Sequence, residues 1–378
     1  MEKKLFVPGR TELAGNHTDH QQGRILASAV DLGLYADFEK NGENAIHIHS
    51  EGYSDFTVRL NHTAVRTGEF GTPKSLVRGM IAAFRELGLD CGGFNAEIRT
   101  TLPAGSGLSS SAAYTVLIGK ILSELFNDGK VDPVVIARAA QQSENKYFGK
   151  PCGLMDQTAC AVGKVITIDF KEVGHPVVRE VPFDLAAKGF ALCISDTKGS
   201  HADLTDDYAA VRREMESVAE FFGKKVLRDV DEETFLKAIP EVRKVTGDRA
   251  VVRAIHFYND SRRAGEIYEA IKADDFDRFL QLIIEGGHSS FEFNQNAYSI
   301  KNPQEQGVPL ALAISQKVLN GRGAWRLQGG GFAGTIQAFV PLALLETYKN
   351  AIDAVFGAGS CHVLSVRNYG AVMVTPDM

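Results

Sequence analysis

The chain has 378 residues, which is the length of two ordinary domains. Its hydrophobic share of 44% and its charged share of 23% are globular values, and they exclude disordered, collagen-like and disulfide-scaffold proteins. The net charge of −6 gives no electrostatic reason to expect a protein that binds nucleic acid or a membrane surface.

Three features of the sequence predict a cytoplasmic protein. No window approaches the roughly 18 consecutive apolar residues that a membrane helix needs. Residues 1–4 lead directly into 5–8, without a secretory apolar region or a small-residue cleavage site. The five cysteines are scattered, odd in number and without CxxC spacing, which favours a reducing compartment over a disulfide framework or a zinc site.

Hydrophobic periodicity and capping residues predict the main elements in chain order. Apolar residues at helical spacing indicate a helix over 75–87, and a mostly apolar helix over 114–122 follows a glycine-serine loop. Asp132 and Pro133 are typical of a helix start, and this helix should run to about Tyr147. The other predicted elements are strands at 97–101, 165–170, 190–195, 362–366 and 371–375, and helices around 208–218, 253–271 and 309–319.

The order of these elements indicates the fold class. Strands mixed with helices come first, and from about residue 203 long helices precede the closing strands. This order predicts an α+β fold with two lobes. We expect an N-terminal domain over 1–197 and a C-terminal domain over 198–378.

The segment 102–113 combines glycines with three consecutive serines. Glycines at 105 and 107 let the backbone approach a ligand closely, and the serines at 109–111 precede an apolar helix whose N-terminus favours anions. The segment lacks the lysine of a Walker loop and the third glycine of the dinucleotide fingerprint. It therefore predicts a phosphate site of another type, and the alternative is a glycine-rich turn with a serine cap.

A dense polar cluster lies near the N-terminus. Asn16, His17, Asp19 and His20 offer donors and acceptors within five positions, which suits a polyhydroxylated ligand, and Arg10 adds a fixed cation. A metal site made from the two histidines and the aspartate is one alternative. A plain polar loop is the other.

Two carboxylates in 141–157 are candidates for chemistry. Glu144 lies among polar neighbours on the helix that begins at Asp132, where a lone glutamate is usually a solvated surface residue. Asp156 follows Gly153 in a weakly charged stretch, so it is either a helix cap or a group held for catalysis.

Taken together, four separated segments resemble the GHMP kinases, a family of small-molecule kinases. The segment 103–113 looks like the phosphate loop of that family, and 329–334 looks like its third, glycine-rich motif. The segments 8–19 and 152–157 are similar to the sugar signature and the catalytic segment of the members that phosphorylate galactose. The resemblance covers nearly the whole chain and implies a two-lobed fold with the active site in the cleft between the lobes.

The resemblance implies roles for the sugar-binding and catalytic residues. Asp156 would be the base or hydrogen-bond acceptor for the anomeric hydroxyl, and Arg10 would keep it ionised and stabilise charge on the attacking oxygen. The implied sugar-binding residues are Asn16, His17, Asp19, Gly153 and Tyr208.

The resemblance also implies ATP as co-substrate and Mg²⁺ as cofactor. Glu144 with Ser110 or Ser111 would ligate the metal, and the spacing does not separate the two serines. Gly329, Gly330 and Gly331 would form a tight loop against the phosphates. The implied nucleotide-binding residues are Gly105, Ser106, Gly107, Leu108, Ser109, Ser110 and Ser111.

Three positions depart from the family's signature and leave the sugar open. The family has Asn at the position of Glu12, an acidic residue that accepts from the sugar's C6 hydroxyl at the position of Asn16, and tyrosine at the position of His20. The leading hypothesis is phosphorylation of galactose to galactose 1-phosphate. The alternatives are a GHMP kinase for another sugar such as N-acetylgalactosamine, and a galactose and ATP sensor without catalysis. The sequence leaves open ATP against GTP, the oligomeric state, and whether Asp156 abstracts the proton or only orients the hydroxyl.

Overall fold

A computed structural model describes residues 3–103, 106–150, 152–172, 174–199 and 204–374. Two residues of the predicted phosphate loop, Ala104 and Gly105, lie outside the described residues. In the described part of the chain, no helix is long and apolar enough to cross a membrane.

The N-terminal part forms an eight-stranded sheet in which the strand order is β12-β1-β2-β5-β3-β4, and β6 pairs with β2 and with β7. All pairs are antiparallel except β3 with β5. The first two strands are long: β1 has 12 residues and β2 has 17, and residues 25–30 of β2 are all buried. The strands are β1 (Lys3–Ala14), β2 (Arg24–Lys40), β3 (Ala45–Ser50), β4 (Phe56–Arg59), β5 (Phe94–Thr100), β6 (Val165–Asp169), β7 (Val177–Val181) and, from the C-terminus, β12 (Val372–Met373).

A second sheet has four antiparallel strands in the order β11-β8-β10-β9. Its strand β9 carries Arg326, which is fully buried and points back to the N-terminal strand β1. The sheet thus joins the C-terminal part of the chain to the first sheet. Its strands are β8 (Phe190–Asp196), β9 (Ala324–Leu327), β10 (Thr335–Pro341) and β11 (Cys361–Leu364).

The helices begin where the sequence supplies caps. Thr72 caps α1 and Asp132 caps α3, each with proline in the first turn. The helix α3 ends at Ser143 and continues as one π-helical turn, Glu144–Phe148. The α-helices are α1 (Pro73–Glu86), α2 (Ser110–Phe126), α3 (Pro133–Ser143), α4 (Met155–Val162), α5 (Thr205–Phe221), α6 (Glu232–Thr246), α7 (Asp248–Lys272), α8 (Phe276–Ser289), α9 (Gly307–Leu319) and α10 (Leu345–Phe356).

The observed elements confirm the predicted α+β class. The predicted helix over 253–271 begins five residues earlier, at Asp248, and the strand β2 and the helices α6 and α8 were not predicted. The largest apolar core joins the first sheet and α1–α4 to residues of α8 and β10, such as Leu282 and Phe339. The division of the chain at 197/198 stays a prediction.

Candidate active site

The pairing of β1 with β2 is irregular beside the loop before α2. Pro8 pairs with Gly33 and Arg10 pairs with Ala29, so β2 has two extra residues opposite Gly9, which is the mark of a bulge in β2. A side chain at Gly9 would lie 2.9 Å from the carbonyl oxygen of Leu108, and the Arg10 N–H donates to that oxygen at 3.1 Å. Residues 106–111, here called the serine loop, are therefore fixed beside Arg10.

Arg10 and Asp156 form a bidentate ion pair. The Arg10 Nε donates to Asp156 Oδ1 at 2.8 Å and Nη2 to Oδ2 at 2.9 Å, while Nη1 donates to the Gly107 carbonyl at 2.8 Å. The Ser109 hydroxyl also donates to Asp156 Oδ2. Burial favours the neutral acid, but the Arg10 charge and these hydrogen bonds hold the pKa of Asp156 below its ordinary value. Asp156 is therefore ionised at neutral pH.

Residues 14–23, here called the signature loop, turn sharply beside this pair. Gly15 has a φ of +88°, and a side chain there would lie 2.3 Å from the Arg24 carbonyl oxygen. The next turn places His17 at a φ of 56° and directs Asp19 toward Gly153, where an added Cβ would lie 1.9 Å from Asp19 Oδ2. Burial raises the pKa of Asp19 and lowers that of His17. Gly153 is thus required for the close approach of two predicted sugar-binding elements.

Asn16 is fully buried, and protein atoms surround its side chain. Its amide nitrogen donates to Glu12 Oε1 at 3.0 Å and to the Gly329 carbonyl at 2.7 Å, and its amide oxygen accepts from Asn296 Nδ2 at 2.9 Å. Glu12 also accepts from Arg326 at 3.0 Å. Burial raises the pKa of Glu12 to about 7, against the lowering effect of Arg326. Two of the three residues that depart from the family's signature, Glu12 and Asn16, therefore contact each other.

Residues 329–334, here called the glycine loop, are held through three consecutive carbonyl groups. The amide of Asn16 donates to Gly329, the ring Nε2 of His17 lies 3.0 Å from the Gly330 oxygen, and the Tyr208 hydroxyl donates to Gly331 at 3.0 Å. The φ angles of Gly329 and Gly331 are 65° and 77°, in the region that favours glycine. The glycine loop is thus attached to the signature loop and to α5.

Glu144 is buried at the end of α3 and faces the N-terminus of α2. Its Oε2 accepts from the Ser111 hydroxyl at 3.2 Å, and its Oε1 accepts from Gln157 Nε2 at 2.8 Å. Burial raises the pKa of Glu144, while Lys150 lowers it. Ser110 is exposed and has no such contact among the described residues. A buried carboxylate oxygen beside a hydroxyl, at a helix N-terminus open to phosphates, is a fitting donor set for Mg²⁺.

Arg10, Asp156, the serine loop and most of the glycine loop line one cleft of about 320 Å³, whereas the signature loop, Gly153, Glu144 and Tyr208 are not among its lining residues. The sequence analysis did not predict three other residues of this cleft, Lys150, Gln328 and Thr335. Lys150 could have been found from its position, since it follows the candidate carboxylate Glu144 by six residues. The alternative of a metal site at the two signature-loop histidines finds no support, because the described part of the chain has no group of three His, Cys, Asp or Glu that could hold an ion. A larger depression of about 460 Å³ on the first sheet shares no residue with the cleft.

Two family models match this chain. The model of the GHMP kinases N terminal domain matches residues 75–164, which include the serine loop and Asp156. The model of the galactokinase galactose-binding signature matches residues 4–39, which include Arg10 and the signature loop.

Two relatives are similar over most of the chain. The galactokinase of Actinobacillus pleuropneumoniae serotype 5b is 30% identical over 360 residues, covering 92% of this chain and 88% of the relative. The galactokinase of Streptomyces coelicolor is 28% identical over 357 residues, covering 93% and 88%.

Solved structures share the fold. The Lactococcus lactis galactokinase complexed with galactose superposes with a TM-score of 0.84 at 22% identity, covering 99% of this chain and 95% of the other. The Methanococcus jannaschii mevalonate kinase gives a TM-score of 0.65 at 16% identity, covering 97% and 99%. These likenesses confirm the predicted GHMP-kinase fold. With the 30% identity over nearly the full length, they show that the chain belongs to the GHMP kinase family and, within it, to the galactokinases.

Proposed function

We propose that this protein transfers the γ-phosphoryl group of ATP to the anomeric hydroxyl of galactose, giving galactose 1-phosphate and ADP. The observation that carries the proposal is the bidentate pair of Arg10 and Asp156, which contacts the serine loop and lies near Asp19 of the signature loop. An acceptor site and a phosphate site thus share one ionised carboxylate. This arrangement suits phosphoryl transfer to a hydroxyl.

The lowered pKa of Asp156 favours a residue that orients the sugar hydroxyl over one that abstracts its proton before the transfer begins. A carboxylate with two arginine hydrogen bonds and one from Ser109 is a weak base. It accepts a hydrogen bond from the sugar hydroxyl and aims the attacking oxygen, and it takes the proton late, when the new P–O bond already acidifies that hydroxyl. Arg10 stabilises the negative charge on the attacking oxygen during this transfer.

The serine loop and Lys150 form the proposed phosphate site. The N-terminus of α2 lies at the cleft, which Ser110 and Ser111 line, and a helix N-terminus carries a partial positive charge. Lys150 lines the same cleft and adds a cation. Glu144 and Ser111 would hold Mg²⁺, which neutralises phosphate charge when bound; the contact between these two side chains favours Ser111 over Ser110.

The sugar site is proposed around the signature loop. Asp19 lies against Gly153 and close enough to Asp156 for their charges to interact, and His17 and Tyr208 contact the glycine loop at Gly330 and Gly331. The amide of Asn16 is already saturated by protein atoms, so we assign it the holding of Glu12 and the glycine loop rather than a direct sugar contact. The cytoplasmic location and the two domains, 1–197 and 198–378, remain predictions.

A coupled assay of ADP release tests the proposal, with Mg-ATP against galactose, N-acetylgalactosamine, glucose and arabinose. We expect turnover with galactose far above the other sugars. Replacing Asp156→Asn should lower it by about 10²–10⁴-fold, the usual contribution of a positioned acid or base. No turnover with any sugar, despite binding of galactose and ATP, would favour a sensor.

The second candidate is a kinase for a different sugar. It is favoured because the family's signature has Asn at position 12 and an acidic residue at position 16, whereas this chain has Glu12 and Asn16. The buried carboxylate of Glu12 accepts a hydrogen bond from the Asn16 amide. A preference for N-acetylgalactosamine or another sugar in the same assay would retain the family and change the substrate.

A further inference from the structure

The backbone of Asn16, in the middle of the signature loop, is held on both sides by a distant helix. The helix α7 runs behind this loop, and two of its buried side chains reach it. Asp260 Oδ2 accepts from the Gly15 N–H at 3.0 Å and from the Asn16 N–H at 2.6 Å. One helical turn earlier, His256 Nε2 lies 2.8 Å from the Asn16 carbonyl oxygen.

The chemistry of these contacts fixes the state of both side chains. A carbonyl oxygen only accepts, so His256 carries its proton on Nε2, and its Nδ1 accepts from the Ser289 hydroxyl at 2.9 Å. Asp260 has no exposed surface and accepts from two backbone N–H groups and from Arg263. Burial favours its neutral form, but Arg326, Arg263 and the Asn16 N–H keep its pKa below the ordinary value. Asp260 and His256, here called the clamp, are therefore an ionised aspartate and a neutral histidine.

The clamp acts at the point where the loop is most constrained. Gly15 precedes Asn16 with a φ of +88°, and His17 follows it with a φ of 56°, so the chain reverses around the residue that α7 holds. The ring of His17 reaches the glycine loop, and Asp19 reaches Gly153, so the direction of both depends on this turn.

We propose that Asp260 and His256 are positioning residues for sugar binding, which act through the backbone of Asn16 and set the direction of His17 and Asp19. This inference rests on the proposed function, since it assumes that the signature loop binds the acceptor sugar. Neither residue touches the cleft, so neither is a catalytic residue. Their loss should weaken the sugar site and leave the phosphate site unchanged.

Steady-state kinetics on the full chain test the proposal. Replacing Asp260→Asn removes the charge and leaves an amide nitrogen facing either the two N–H groups or Arg263, and we expect the KM for galactose to rise by about 10-fold or more. The KM for ATP should stay within about twofold, because no contact of Asp260 reaches the serine loop. His256→Leu should raise the galactose KM by about fivefold, and His256→Gln should restore most of it, since an amide N–H can donate to the same carbonyl.

Tyr258→Phe is the matched control on the same helix. The hydroxyl of Tyr258 is buried and donates to the carbonyls of Leu227 at 3.3 Å and Val230 at 3.1 Å, away from the signature loop. Its loss should lower stability without changing the galactose KM. An Asp260→Asn variant that folds and keeps the parent's galactose KM would overturn the proposal; if that variant does not fold, the His256→Leu and His256→Gln pair decides in the same way.

Hydrogen exchange separates this inference from the proposed function. If the parent turns over no sugar, the proposed function fails, and exchange of the peptide covering residues 12–23 then judges the clamp alone. Faster exchange there in His256→Leu and Asp260→Asn, but not in Tyr258→Phe, would support it. Equal exchange in all variants would overturn it.

Discussion

The serine loop lines the cleft and the signature loop holds the glycine loop that faces it, yet their contacts come from different sources. The serine loop is one continuous stretch that offers backbone N–H groups and hydroxyls, and Gly107 and Ser110 within it are exposed. The signature loop depends on buried side chains from a distant helix, Asp260 and His256. A phosphate site can thus be encoded locally, whereas the sugar site requires the tertiary fold. Substitutions at the two loops should therefore differ in their effects on stability, KM and turnover.

The largest effect on turnover should come from Arg10, which contacts both Asp156 and the serine loop. Arg10→Lys keeps a charge but cannot donate twice to Asp156 and also to the Gly107 carbonyl, so we expect kcat to fall by about 100-fold or more. Arg78→Lys is the matched control, because Arg78 makes the same bidentate pair with Glu69 outside the cleft. It should lower the melting temperature and leave kcat unchanged. A kcat within about threefold of the parent in Arg10→Lys would contradict the assigned role.

The buried carboxylate of Glu12 should make the stability of the protein depend on pH. Burial raises its pKa in the folded state to about 7 from 4.5, so the folded protein binds more protons than the unfolded chain between these values. Stability from this group is therefore greatest at low pH and falls as the pH rises through 7. From pH 5 to pH 8 the parent should lose about 2–3 kcal/mol of unfolding free energy relative to Glu12→Gln.

Urea unfolding at several pH values measures this difference. The control is Glu69→Gln, since Arg78 lowers the pKa of Glu69 and moves its titration below this pH range. That variant should keep the parent's slope between pH 5 and pH 8. Parallel curves for the parent and Glu12→Gln would show that Glu12 is ionised throughout.

A smaller effect should come from a substitution at Gly153, which should change galactose binding more than stability. In Gly153→Ala the new methyl group would lie 1.9 Å from Asp19 Oδ2, so the Asp19 side chain must move. Because the displaced atom is the end of a side chain, we expect a stability change of less than about 1 kcal/mol but a galactose KM about 10-fold higher. Gly68→Ala is the control, since no atom lies within 4 Å of an added Cβ there. An unchanged galactose KM would separate Asp19 from the sugar site.

The smallest effect should distinguish the two serines on the phosphate side. Ser111 contacts Glu144, whereas Ser110 is exposed, so Ser111→Ala should raise the Mg²⁺ concentration for half-maximal activity by about fivefold. Ser110→Ala should raise it by less than about twofold. A titration of activity with Mg²⁺ at fixed ATP measures both. The reverse order would assign the metal ligand to Ser110.

The sequence identified local features well because their causes are local. The caps at Asp132 and the glycine turns at 329–331 depend on neighbouring residues only, and the structure has a helix start and positive φ angles there. The long strand β2 was not predicted, since its burial pattern depends on the strands and helices that cover it. Glu144 looked like a surface residue by itself, and only the packing of α3 against α2 buries its carboxylate.

For the site, the amino-acid sequence by itself determined the family, the serine loop and the polar character of the signature loop. The tertiary structure decided that Asn16 is saturated by protein contacts, that Glu12 is buried against Arg326, and that Asp260 holds the turn from 244 residues away along the chain. The physical reason is that a buried polar group must find partners wherever the fold brings them. Such partners leave no spacing pattern in the sequence.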